Sequence, residues 1–308
     1  MGLGRQGFGC MPLSHGYGHA DRAEALAVIG RAIDLGITFF DTADIYGMGE
    51  NERLLGQAIR GRRDGLVIAS KVGHRLDRAT SGRNRDGRPE HIREAVEASL
   101  VRLGTDRIDL LFLHRLDPLV PVEDSVGALA RLREEGKILG IGLCEVGADV
   151  LRRAQAVAPV AALQSEYSLW SREVENAVLP LTQALDIAFV AFSPLGRGFL
   201  AGADAASEGD RRVEHPRFQA EAAEANRARR ARAAAIAGRL GISLAQLSLA
   251  WVLSKRVVPI PGTRHIAHLE DNMAANGVAL DCGTIAELEA LYPPGSTAGE
   301  RFPEQSRP

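Results

Sequence analysis

The three cysteines in 308 residues, Cys10, Cys144 and Cys282, are too few, too scattered and odd in number for a closed disulfide framework. A reducing, cytoplasmic setting is therefore expected. No run of about 18 uncharged apolar residues occurs, so no membrane span is expected, and the opening Met-Gly-Leu-Gly-Arg-Gln-Gly7 lacks the apolar core of a signal peptide. Net charge is nearly absent too, at -2, which argues against a nucleic-acid surface. The one basic run, Arg227 to Arg232, sits in an Ala- and Glu-rich stretch and reads as a solvated helix face. The eight histidines show no H-E-x-x-H spacing and the cysteines no C-x-x-C, so no metal site is expected. Aromatics make up only 5% of the chain, leaving few ring side chains to specify a substrate.

What the chain does have is alternation. Short apolar runs at 6–11, 37–40, 66–70, 108–113, 138–143, 161–164, 187–191 and 257–260 read as strands. Between them, 21–35, 51–59, 90–103, 123–135, 148–157, 173–185, 222–240 with 243–253, and 267–275 read as helices. Asp21, Pro89 and Ser243 stand where helices begin and suit those positions. Strict β, α alternation implies parallel strands joined by crossover helices, and eight such units in about 300 residues match a (β/α)8 TIM barrel. An open doubly wound sheet has similar content, but no midpoint linker divides the chain, which favours one closed barrel domain over 1–308.

Two segments escape the pattern. Residues 199–219 are glycine-bearing and charged, without periodicity, and loops of that length are usually functional lids or disordered. The tail from Pro293 to Pro308 either covers part of the barrel mouth or is mobile. The G-x-G-x-x-G of Gly2-Leu-Gly4-Arg-Gln-Gly7 has no strand before it and no helix after it, and so lacks the context in which that motif holds a dinucleotide.

Barrel enzymes place chemistry at the C-terminal ends of their strands. Asp41 ends the second strand, Lys71 the third and His114 the fourth, with Tyr46 on the loop just past Asp41. For a phenol to act as an acid near neutral pH its pKa of about 10 has to fall, and a neighbouring cation such as Lys71 is the usual means. Singly, each residue has a plainer reading: Asp41 or Asp44 caps a turn, the lysine is solvated, the histidine is structural, the tyrosine anchors a loop. At consecutive strand ends, the joint reading as a catalytic group is the stronger one.

These residues sit in longer motifs: Phe40-Asp-Thr-Ala-Asp-Ile-Tyr-Gly47, Asn51-Glu-Arg-Leu-Leu-Gly56, Lys71-Val-Gly73, Asp109-Leu-Leu-Phe-Leu-His114, Gln164-Ser-Glu-Tyr167, Phe192-Ser-Pro-Leu-Gly196, Ile260-Pro-Gly-Thr263 and Leu269-Glu-Asp-Asn272. In this order, over nearly the whole chain, they resemble the aldo-keto reductases. The resemblance implies a single barrel and NADPH-dependent reduction of an aldehyde or ketone. Tyr46 would be the general acid, Lys71 the group that lowers its pKa, Asp41 the partner of Lys71, and His114 the residue that orients the carbonyl. A lyase using Lys71 as a Schiff-base nucleophile is conceivable from the strand-end lysine alone, but leaves the nucleotide-like segments without a role.

For the coenzyme, the resemblance implies NADP held by the last strands. Thr263 and Arg264 would take the 2'-phosphate, and His268, Asp271 and Asn272 the adenine. Phe192 would stack on the nicotinamide, Gln164 and Cys144 would lie at its amide, and Ser193, Leu195 and Arg197 would line the pyrophosphate. Met11, Asp41 and Gly262 complete the coenzyme site. Two positions depart from the commoner family pattern: Cys144 and Glu145 replace a Ser-Asn pair, and His268 an arginine. For the substrate, Tyr46 and His114 are joined by Tyr17 and Trp170, which either wall the mouth or serve packing. The stretch from Gln164 to Trp170 resembles the bacterial branch that includes pyridoxal and aliphatic aldehyde reductases. A competing implication is a regulatory role of the potassium-channel β-subunit type, with slow or vestigial activity.

Overall fold

The computed structural model describes residues 2–14, 21–76, 85–204 and 210–302. Eight parallel strands run in sequence order: β1 (Phe8–Gly9), β2 (Phe39–Asp41), β3 (Val67–Val72), β4 (Ile108–Leu113), β5 (Ile138–Cys144), β6 (Val160–Glu166), β7 (Ala188–Phe192) and β8 (Val258–Pro259). The sheet closes on itself through two backbone bonds: Gly7 N donates to Pro259 O at 3.0 Å and Gly9 N to Pro261 O at 3.4 Å. The molecule is thus the expected (β/α)8 barrel rather than an open sheet.

The helices are α1 (Arg22–Asp34), α2 (Glu50–Ala58), α3 (Pro89–Leu103), α4 (Val122–Glu134), α5 (Ala148–Val157), α6 (Val178–Ala184), α7 (Ala220–Leu240), α8 (Leu244–Ser254), α9 (Ile266–Ala274) and α10 (Cys282–Leu291). Their starts follow local chemistry. The Asp21 carboxylate accepts from the backbone N–H of Ala23 and Glu24, Pro89 opens α3, and Ser243 with Gln246 forms a reciprocal capping box on α8. Helix α10 did not stand out in the sequence. Its Leu288 and Leu291 are buried with Ile285 packed beside them, and it is fixed by the Asp281 cap and by packing on α7.

Side-chain alternation along the strands builds two cores and aims the site. Phe39, Ala69, Leu110, Phe112, Ala162 and Val190 point inward and fill the barrel, while Phe40, Ile68, Leu111, Leu143 and Leu163 point outward into a larger core under the helices. Two residues beyond each inward position, the next inward side chain emerges at the mouth. Asp41 follows Phe39, Lys71 follows Ala69, His114 follows Phe112, Gln164 follows Ala162, and Phe192 follows Val190. The narrow interior also explains Gly142. A Cβ there would stand 2.3 Å from the Phe112 ring.

The described parts of the segment 199–219, residues 199–204 and 210–219, are more structured than its lack of periodicity suggested. It holds short 3-10 turns at Phe199–Ala201, Arg211–Glu214 and Pro216–Phe218, and Phe199, Leu200 and Arg217 are buried. The glycine-rich entry Gly2 to Gly7 leads into β1 and is followed by a 3-10 turn at Met11–Leu13, so no helix N-terminus stands beside it.

Candidate active site

Asp41 and Lys71 lie side by side at the mouth, both almost wholly buried. Lys71 Nζ donates to Asp41 Oδ1 at 2.5 Å, to the backbone O of Thr42 at 2.8 Å and to the Tyr46 phenol oxygen at 3.3 Å. The other Asp41 oxygen accepts from Gln164 Nε2 at 2.8 Å. Burial alone would pull the Lys71 ammonium down, but Asp41 and Tyr46 more than offset it, and the group is held above its ordinary value. It is a fixed cation.

Tyr46 behaves differently from the expectation of a lowered pKa. Burial pushes its phenol up, and Lys71, which pulls the other way, only limits the rise. The phenol therefore keeps its proton at neutral pH, the form that can donate. It is presented by a loop of unusual backbone: Gly47 and Met48, with φ of 57° and 56°, are both left-handed. A methionine in that region is held there by its surroundings.

His114 sits edge-on to the rings of Tyr46 and His74, with centroids 5.9 and 4.8 Å apart. Burial, then His74, Lys71 and Arg115, hold its imidazole well below the usual histidine range, so it is neutral. Its Nδ1 is buried and meets no hydrogen-bond partner among the described residues.

Behind this group, polar side chains lock the loops. Asn51 accepts from Thr42 Oγ1 at 2.6 Å and donates to Cys10 O and Ser14 Oγ, tying the ends of β1 and β2 together. Glu52, fully buried, accepts from Ser70 Oγ at 2.5 Å and from Arg102 Nε at 2.6 Å. The stretch after Gly49 thus positions the site without entering it.

A cavity of roughly 440 Å³ opens over these residues. Of the sequence-derived site, Met11, Asp41, Tyr46, His114, Gln164, Phe192, Ser193, Leu195, Arg197, Gly262, Thr263, Arg264 and His268 line it. Lys71 lies just beneath, behind Tyr46. Near its floor the chain passes at close range: a Cβ on Gly262 would stand 2.3 Å from Gly9 O. Ser193 and Arg197 hold left-handed φ of 49° and 59°, strained backbone of the kind that gathers at ligand sites.

Besides Lys71, four proposed residues among those described are not on the wall. The Asp271 carboxylate is spent on α8, accepting from Ser243 Oγ at 2.8 Å and Gln246 Nε2 at 2.6 Å. Asn272 is buried beside it in sequence and does not line the cavity. The Cys144 thiol is buried, its pKa pushed up to about 12 by burial against the pull of Lys71. Trp170 is core: its ring stacks on Phe199 at 4.6 Å, meets Phe218 edge-on, and fits under Gly196, where a Cβ would stand 2.6 Å from the indole. It supports the 193–198 wall from behind. Tyr17 lies outside the described residues.

The sequence reading missed Arg115, Arg212 and Phe302, all on the wall. Arg212 is clamped by the Asp210 carboxylate and donates to Arg197 O at 3.1 Å. Phe302 is brought to the cavity by its neighbour. Arg301 pairs with Glu145, and its Nε lies 3.1 Å from Glu166 Oε2, so the tail is pinned to the ends of β5 and β6. Glu145 itself has a φ of 53° and caps Glu166 N at 2.7 Å. Only the adjacency of Arg115 to His114 offered any signal in the sequence.

The model of the aldo/keto reductase family matches residues 6–293. The chain is 41% identical over 307 residues to a probable aldo-keto reductase 1 of Glycine max, covering 97% of this chain and 88% of that one. It is 40% identical over 308 residues to the Schizosaccharomyces pombe aldo-keto reductase yakc, whose name carries NADP(+), covering 96% and 91%. Among solved structures it superposes on a glycerol dehydrogenase of Gluconobacter oxydans with a TM-score of 0.86 at 28% identity, covering 95% and 93%. An aldo/keto reductase of Klebsiella pneumoniae in complex with NADP and acetate gives a TM-score of 0.73 at 30% identity, covering 97% and 95%. With its barrel, its Asp41–Lys71–Tyr46 contacts and these relatives, the chain belongs to the aldo/keto reductase family of NAD(P)H-dependent oxidoreductases.

Proposed function

We propose that this protein reduces an aldehyde or ketone to the alcohol at the expense of NADPH, with Tyr46 as general acid. The observation that carries the reading is the 3.3 Å contact between Lys71 Nζ and the Tyr46 phenol beside a neutral His114, all at one cavity. The bound coenzyme supplies the hydride. Reduction leaves charge on the carbonyl oxygen, and Tyr46 and His114 are donors that stabilise it there. Tyr46 then gives its proton, a transfer that contributes about 100-fold or more in rate. Lys71 is positioned to steady the phenolate that remains, and Asp41 and Gln164 keep Lys71 from moving.

The cavity suits a dinucleotide with an extra phosphate. Arg197, Arg212, Thr263 and Arg264 give it cations and a hydroxyl along one side, and Phe192 gives it a ring face near Gln164. In this reading Arg264 and Thr263 take the 2'-phosphate, and Arg197 with Ser193 and Leu195 borders the pyrophosphate. His268 lies exposed on the cavity wall, and in this reading it would meet the adenine. The substrate is a small carbonyl compound, and the chain, one barrel domain, works in the cytoplasm.

The test is coenzyme oxidation with a panel of aldehydes by wild type and Tyr46→Phe, alongside NADPH and NADH titrations of Arg264→Ala. Wild type should turn over, Tyr46→Phe should lose at least about 100-fold in kcat, and Arg264→Ala should weaken NADPH but not NADH. Equal turnover by wild type and Tyr46→Phe would remove Tyr46 from the chemistry. Tight coenzyme binding without turnover in either would point instead to a regulatory protein.

A further inference from the structure

The charge balance of the cavity wall is uneven. Among the described residues, four arginines, Arg115, Arg197, Arg212 and Arg264, face a single carboxylate, Asp41, whose oxygens are already taken by Lys71 and Gln164. Three of the four belong to the side proposed for the coenzyme phosphates, and two of those already meet acids: Arg212 is clamped by Asp210, and Arg197 lies 3.9 Å from Glu166. Arg115 is at the other end, directly after His114. Among the described residues its one hydrogen bond is from Nη1 to its neighbour's backbone, His114 O, at 2.8 Å, and it forms no ion pair with any of them. Positive charge is crowded there. Arg85 is held below the ordinary arginine value by burial and next by Arg115, against the opposite pull of Asp117.

A half-buried guanidinium whose remaining N–H groups lack an anion is a ready acceptor site for one, and its planar fork matches a carboxylate. We propose that Arg115 binds an anionic group of the substrate, so that the preferred substrates are aldehydes or ketones carrying a carboxylate on the same small molecule. The inference rests on the reductase reading. His114 and Tyr46 hold the carbonyl, Arg115 holds the far end, and binding energy from that end orients the reacting carbon. The plainer role of Arg115, a brace on the end of β4 through its bond to His114 O, makes no distinction between charged and neutral substrates.

Kinetics on a matched pair separates the two. With NADPH saturating, kcat/KM for 4-oxobutanoate should exceed that for butanal by about tenfold or more. Arg115→Gln should abolish most of that preference, chiefly through KM, while butanal stays within about twofold, and Arg115→Lys should retain part of it. An equal rate with both aldehydes in wild type, or a preference unchanged in Arg115→Gln, would overturn the proposal. Binding is read independently by titrating butanoate and butanamide into the NADP-loaded protein. If neither aldehyde is turned over but butanoate binds selectively and Arg115→Gln loses it, the anion site stands and the reductase reading falls. Equal binding of the two would overturn the anion site whatever the turnover.

Discussion

Asp44 holds a carboxyl group that is 1% exposed, and the backbone N–H of Ile45, with Arg102 and Lys71, only limits what burial does to it. It does not cap a turn, as its place in the loop had allowed. Burial, followed by Glu52, raises its pKa from 3.8 to about 8, so the folded protein keeps a proton there that the unfolded chain has lost. The sign follows from linkage. Between about pH 4 and about pH 8 the native state binds more protons than the unfolded state, so this group's contribution to stability falls as pH rises. Asp44→Asn, which cannot ionise, is expected to be more stable than wild type at pH 8, with the gap shrinking toward pH 4. Urea denaturation across that range measures it; a constant gap would mean that Asp44 is already charged when buried. Tyr46 shows the same physics. That Asp41, Lys71 and His114 share one mouth was legible because they end consecutive strands, with Tyr46 on the loop just past Asp41. The direction of the Tyr46 pKa was not legible, because burial depends on the packed neighbours.

At the scale of elements, strand and helix placement was largely readable, since short apolar runs alternate with longer amphipathic ones outside residues 199–219 and the stretch after α9. What pattern could not show is which small residues the barrel interior demands. Gly142 on β5 makes room for the Phe112 ring on β4, and Gly142→Ala should cost about 1–3 kcal/mol of unfolding free energy. Gly30, inside α1, has open space where a Cβ would stand, and Gly30→Ala should instead add about 0.5–1 kcal/mol. Denaturation of both variants checks the pair; equal effects would contradict the packing assigned to β4 and β5. Trp170 fits this scale as well. Its loop position suggested either a cavity wall or packing, and it packs, beneath Gly196 and against Phe199.

Across the whole molecule, the chain's end returns to the barrel mouth. Glu166 at the end of β6 gathers Arg301, Arg197 and Arg217; burial would raise its carboxyl, yet these three guanidinia hold it below its ordinary value. Its pairing therefore contributes stability above about pH 4.5 that is lost as pH falls through the lowered folded value. Arg301→Gln should cost about 1–3 kcal/mol, less than a fully orphaned charge because Arg217 stays 3.7 Å from Glu166. It should also raise KM by releasing Phe302 from the cavity wall, which steady-state kinetics would show; an unchanged KM would mean the tail does not shape the site. Nothing in residues 293–302 repeats with a structural period, and the contact that fixes them spans more than 130 positions, so the sequence left the tail open between cover and mobile end. Among the described residues no single helix is long and apolar enough to cross a membrane.

In the proposed mechanism Tyr46, not His114, delivers the proton. An acid acts while protonated, so its rate contribution disappears as pH rises through its pKa. Tyr46 is raised above 10 and His114 lies well below 6.5, which places the two far apart on that axis. The decisive measurement is the pH profile of single-turnover NADPH oxidation with saturating aldehyde. A rate level from about pH 6 to about pH 8, falling only on the alkaline side and lacking that limb in Tyr46→Phe, is the expected result. A limb that falls below about pH 7 and survives in Tyr46→Phe would assign the proton to a histidine and contradict the mechanism.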